Sequence, residues 1–151
     1  MSGFGVIENE WRKVSNCADS LETVQAKYRR LIDLMVKVAK EYATYVPGLS
    51  LVFDEKANTA ELRSFAGVSS IRLGWDATGI DLAGVMIFSS MKSGANEPTV
   101  ILKVYMPTYS SSARLPLEDG SEVTMDSFHP SNFAFTVLMN AIRKQVDLSS
   151  Q

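Results

Sequence analysis

The stretch 20–46, SLETVQAKYRRLIDLMVKVAKEYATYV, settles the architecture. Apolar or aromatic residues fall at Leu21, Val24, Tyr28, Leu31, Met35, Val38, Tyr42 and Tyr45, the three-four alternation of a long amphipathic helix. Arg29, Asp33, Lys37 and Glu41 stand four apart with alternating sign and form a solvated ladder on the opposite side. Ile32, Ala39, Val46 and Leu34 widen the apolar stripe beyond a two-stranded zipper seam, as expected of a helix lying on a sheet. Asp19 with Glu22 gives a capping-box-like start, and Pro47-Gly48 a sharp stop, so the helix is predicted over about 20–46.

On the N-terminal side, Val6–Val14 reads as a short first helix with Val6, Ile7, Trp11 and Val14 along one side. Ser15, Asn16 and Asp19 read as a polar break, which leaves 1–18 as a separate N-terminal segment. After Gly48 the period changes from about 3.6 to 2, which marks strands. Leu49, Leu51 and Phe53 alternate with Ser50 and Asp54, 55–58 reads as a turn, and Thr59–Phe65 returns as a hairpin. Further strands are predicted over Val68–Trp75, about Ile80–Met91 and Thr99–Tyr109, with an Asp76–Gly79 turn and an exposed loop over Lys92–Pro98. The two strands after the turn are apolar on both faces and read as central. Asp119-Gly120 between Arg114–Leu117 and Glu122–Met125 signals another hairpin. Phe135, Leu138, Ile142 and Val146 mark a last helix over about 131–146.

The expected fold is therefore α+β: an antiparallel meander of five to six strands over about 49–125, packed against a long N-terminal helix and a C-terminal helix in one 151-residue domain. A 26-residue helix is ~39 Å long, whereas five strands span ~24 Å. The helix should overhang, and the end near Tyr42 and Tyr45 needs help to be covered. Two helices on one face would also leave the other face bare, so the C-terminal helix, the N-terminal segment or a second copy must shield it. A homodimer is the resulting expectation.

Composition sets limits. With 46% hydrophobic residues the chain can bury a sizeable core. A net charge of -2 and a pI near 5.4 lack the basic footprint of nucleic-acid binding, and the cluster Lys27, Arg29, Arg30 has Glu22 and Asp33 close by. Cys17 is the single cysteine, so no disulfide can close within the chain and a cysteine-based zinc cage is excluded. No apolar run approaches the ~20 residues that span a bilayer, and the N-terminus lacks a secretory pattern, so the cytoplasm is the expected compartment.

Chemistry is sparse. His129, the one histidine, sits in DSFHPSN just before the last helix, where Ser127, His129 or Ser131 would cap backbone amides with Pro130 at an early helical position. Triad members confined to a few neighbouring residues do not converge on one reacting atom. Cys17 with His129 would be the alternative nucleophile and base, without support from flanking residues. Carboxylates show no calcium-loop spacing, and Gly3-Phe4-Gly5 is no dinucleotide fingerprint, so neither metal nor cofactor is expected. The expectation is a non-catalytic binding protein, a protein-protein interaction module of inhibitor, immunity or chaperone type, with Trp75, Arg72, His129, Tyr42 and Tyr45 as candidate binding residues. The alternative is a carrier of a small apolar ligand, with a pocket lined by Tyr28, Met35, Phe88, Met106 and Phe135 between sheet and helix. The methionines, among them Met86, Met91, Met125 and Met139, suit adaptable apolar packing in either case.

Overall fold

The computed structural model describes residues 2–76, 83–108, 112–125 and 129–150, with the side chains of 2–6, 13, 16 and 17 excepted. Helix α1 (Ser2–Tyr42) leads into strands β1 (Ser50–Asp54), β2 (Thr59–Ser64), β3 (Gly67–Asp76), β4 (Ala83–Met91), β5 (Pro98–Pro107), β6 (Arg114–Pro116) and β7 (Glu122–Thr124). Helix α2 (Pro130–Ser149) ends the fold. The α+β order of helix, antiparallel meander and helix is as expected.

The expected break at Ser15, Asn16 and Asp19 is absent, and α1 is one helix of 41 residues. Those residues cost only a few tenths of a kcal/mol each in a helix, and no glycine or proline occurs between Gly5 and Pro47. Such polar residues do not stop a helix whose four-three spacing continues through Ile7, Trp11, Val14, Ala18 and Leu21. At the other end α1 stops at Tyr42 rather than Val46, because the amides of Tyr45 and Val46 both turn back to the Tyr42 carbonyl, at 2.9 and 3.0 Å. Gly48 then takes a φ of +73°, which lets the chain reverse into β1.

Seven strands pair antiparallel in sequence order, more than the five to six expected, because both arms of the Asp119-Gly120 hairpin join the sheet. The hairpins pair Leu51 with Leu62, Leu62 with Ser69, Ile71 with Phe88, and Phe88 with Leu102. Beyond Phe88 the register shifts, with Ser89 opposite Val100, so Ile101 is an extra residue that bends β5. Ile80, Leu82, the turn after Asp76, Tyr109 and Ser127 lie outside the described residues.

Both helices pack on one sheet face. Tyr28, Ile32 and Met35 of α1 and Phe133, Val137 and Leu138 of α2 meet Leu62, Ile71, Phe88 and Val104 in a single core. Gly84 lets α1 approach β4: a Cβ built there would lie 2.1 Å from Val24 Cγ1. Within this core Gln145 is buried and fully satisfied. Its Oε1 accepts from Ser64 Oγ at 2.6 Å, and its Nε2 donates to Ser69 Oγ at 2.7 Å and to the Leu62 carbonyl at 3.3 Å. Ser69 and Ser90 share a further 2.6 Å hydrogen bond, so one polar chain ties α2 to three strands.

Neither helix covers the opposite sheet face. Val85 and Ile87 on it are nevertheless only 4% and 9% exposed. Ile87 Cδ1 lies 2.7 Å from where a Gly74 Cβ would be, so its side chain folds into the notch left by that glycine, with Arg72 Nη1 3.6 Å from the same point. Lys103 and Tyr105 flank the same two residues across β5. Long side chains laid over apolar neighbours thus do much of the shielding expected of a second layer.

Candidate functional site

One bare apolar feature is the part of α1 that leaves the body. Residues 2–19 precede Ser20, the first buried position described on this helix, and extend about 27 Å at 1.5 Å per residue. Ile7, Trp11 and Val14 are 69%, 70% and 60% exposed, and Leu21 is partly so. Together with Ala18 they keep the four-three spacing of a coiled-coil seam. A straight helix drifts ~20° per heptad against that spacing, so this seam is turned away from the stripe buried on the sheet. Glu8, Glu10 and Glu22 border it, and Arg12 pairs with Glu8 at 3.8 Å. The overhang lies at the N-terminal end, not at the Tyr42 and Tyr45 end expected. The sequence carries the signal for it, but a supposed break at Ser15 divides the seam and hides it.

A second feature is a groove of about 640 Å³ between β5, the β6–β7 hairpin and α2. Strand β6 pairs with β5 at one position only, Tyr105 with Arg114, so among the described residues the N-terminal half of β5 has no strand on that side. Ile101, Lys103, Leu117, Val123, Arg143 and Lys144 line the opening. Glu118 binds Lys144 and stands 3.9 Å from Arg143, whereas Lys103 has no carboxylate partner among the described residues. Asp119 is held within its own turn by the Ser121 amide at 2.9 Å and by the Ser121 hydroxyl, which keep its carboxyl below the ordinary value. A smaller groove of about 270 Å³ borders Gly67, Met91 and Leu148, with Gln145 at its wall.

The five candidate binding residues are not brought together. Arg72 points to the open sheet face, whereas Trp75, three residues on, lies on the helix side, 44% exposed and opposite Gly84 where α1 is seated. Tyr42 packs its ring 4.8 Å from that of Phe135 and 6.0 Å from that of Tyr45, which is 78% exposed at the far end of α1 from the overhang. His129 is the N-cap of α2: its Nδ1 accepts from the Ser131 amide at 3.2 Å, with Pro130 next in the helix. Cys17 lies in the overhang.

None of the five residues expected around a ligand pocket lines either groove. Tyr28, Met35, Phe88 and Met106 are packed in the core, and Phe135 is half-buried against Tyr42.

The perturbed ionisable groups have structural causes. Burial pushes the Tyr28 phenol up to about 12, and its hydroxyl donates to the Asn58 carbonyl at 2.9 Å. Burial lowers Lys27, whose Nζ donates to the Pro107 carbonyl at 2.5 Å and to that of Thr108 at 3.3 Å. Hydrogen bonds to Glu55 and Asp33 raise Arg29, which also lies 4.2 Å over the Phe53 ring. No group of three or more His, Cys, Asp or Glu that could hold a metal occurs among the described residues. No helix among them is long and apolar enough to cross a membrane. Comparison with family models, with curated proteins and with solved structures finds no match to this chain.

Proposed function

We propose that this protein is a non-catalytic protein-protein interaction module that acts as a homodimer, joined through the overhanging part of α1. The observation that carries this reading is the exposed seam of Ile7, Trp11, Val14 and Leu21 on a helix that has left the body. A helix segment of this length is marginal in water by itself, and Asn9, Ser15, Asn16 and Asp19 give it little intrinsic propensity. It needs an apolar surface along its seam.

A second copy supplies one. From Ser20 onward the body occupies much of the apolar side of α1, so two copies fit antiparallel, their bodies at opposite ends. In that arrangement Trp11 stacks on Val14 of the other copy and Ile7 on Ala18, large against small. Glu8 then lies opposite Ser15, so the acidic borders do not face each other.

Light scattering on a sizing column tests the pairing. The expected result at micromolar concentration is a dimer, reduced to monomer by Trp11→Glu while the sheet remains folded. A wild-type monomer throughout that range would refute it.

A further inference from the structure

We infer that the open half of β5 is a strand-addition site for an extended segment of another protein that alternates apolar and acidic residues. The inference rests on the interaction-module reading but not on the α1 pairing, since it uses a different face of the molecule.

Ile101 is the extra residue opposite the step from Phe88 to Ser89, and a bulged strand bends and twists away from its neighbour. Strand β6 meets β5 only at Tyr105 and the β6–β7 hairpin diverges from there, so the edge over 99–104 faces a groove. In a strand, backbone amides and carbonyls alternate between the two sides. Those directed at the groove therefore have no strand partner among the described residues, and an incoming extended chain would satisfy them. No proline interrupts the edge between Pro98 and Pro107, so each residue over 99–104 keeps its backbone amide.

The walls specify the occupant. Ile101, Leu117 and Val123 offer apolar contact to an added strand. Lys103 has no carboxylate partner among the described residues, Arg143 and Lys144 share Glu118, and Asp119 keeps its charge while bonded to Ser121, so three cations face two carboxylates. The groove thus carries positive charge in excess, which acidic side chains neutralise. Main-chain hydrogen bonds would supply affinity, and the charge and apolar alternation would supply selectivity.

The experiment uses the full chain and a fluorescein-labelled peptide, acetyl-Val-Glu-Val-Glu-Val-Glu-amide, followed by polarisation and by amide hydrogen exchange. The expected result is saturable binding that slows exchange at 101–104. N-methylation of alternate peptide amides should weaken it at least ~10-fold, since each added strand depends on its main-chain donors. Lys103→Glu should weaken it roughly 3- to 10-fold by placing like charge against the peptide. Trp11→Glu should leave it unchanged, which separates this site from the α1 pairing. Equal binding of the methylated peptide, protection confined to α1, or no binding up to millimolar peptide would overturn the inference. A Trp11→Glu protein that stayed dimeric and became monomeric on adding Lys103→Glu would also overturn it, by giving the edge to a second copy.

Discussion

Replacing Gly84 with alanine should destabilise this protein, although removing a glycine from a strand interior ordinarily gains roughly 0.5–1 kcal/mol. The new Cβ would sit 2.1 Å from Val24 Cγ1, with Leu73 Cδ1 and Met106 Cε each at 3.4 Å on other sides. An ordinary contact begins near 3.4 Å, so more than an ångström must be found. Val24 is β-branched in a helix and has one strongly preferred rotamer, and it is fully buried. The helix itself must therefore lift from the sheet. Overpacking of this kind costs about 1–3 kcal/mol, and the stiff, buried Val24 against the new methyl group places Gly84→Ala near the upper end. At roughly 2–4 °C per kcal/mol for a chain of this size, the melting temperature should fall by about 6–12 °C.

Val24→Ala removes two buried methyl groups and should cost roughly 1–3 kcal/mol by itself. In the double variant the methyl group introduced at position 84 enters the space that Val24 vacated. The two losses should not add, and a favourable coupling of about 2 kcal/mol is expected from urea denaturation of the four proteins. Strict additivity, or a Gly84→Ala protein within about 0.5 kcal/mol of wild type, would show that α1 is not seated on β4 through this contact. Since Val24 lies just inside the point where α1 leaves the body, the same cycle fixes the root of the overhang.

Other outcomes follow from single side chains. The Tyr28 phenol has its folded-state pKa raised from 10 to about 12, so its contribution is fully present below pH 10 and is lost as pH rises from about 10 to about 12. Tyr28→Phe should remove that part of the alkaline slope and cost roughly 0.5–1.5 kcal/mol at neutral pH for the hydrogen bond to Asn58, read by urea midpoints at several pH values. His129→Ala removes the α2 cap and should cost about 1 kcal/mol, with His129→Asn restoring most of it in thermal melts. Gln145→Ala takes partners from Ser64, Ser69 and the Leu62 carbonyl together, so a loss of about 2–4 kcal/mol is expected in denaturant titration, and a loss under about 1 kcal/mol would contradict a buried network. Helices of 41 and 20 residues make about two fifths of the chain helical. If α1 pairs as proposed, circular dichroism should show that fraction at high concentration and less on dilution, because an unsupported overhang frays.

Much of the architecture is legible in local spacing. The four-three pattern of Val24 to Tyr42 marks a helix seated on a sheet, the alternation of Leu49, Leu51 and Phe53 marks the first strand, and Asp119-Gly120 marks the last hairpin. His129 and Pro130 mark the start of α2. Each of these is set by backbone geometry within a few residues, which is why the chain order alone reveals them. Misreadings arise where a local signal competes with a longer one. Ser15, Asn16 and Asp19 resemble a break, yet each costs little and nothing there removes a backbone hydrogen bond. Tyr28, Met35, Phe88 and Met106 resemble pocket lining because aromatic and methionine side chains serve cavities and cores alike.

Residue order alone says which positions are apolar and at what period, and hence where the helices and strands lie and in what succession, since those depend on repeat distances along the chain. Which apolar residues remain bare is settled only when the elements assemble. Whether Trp11 is covered depends on where the sheet ends, and β5 keeps an open edge because β6 meets it at Tyr105 alone. Both follow from long-range packing, which brings together residues that no local pattern relates.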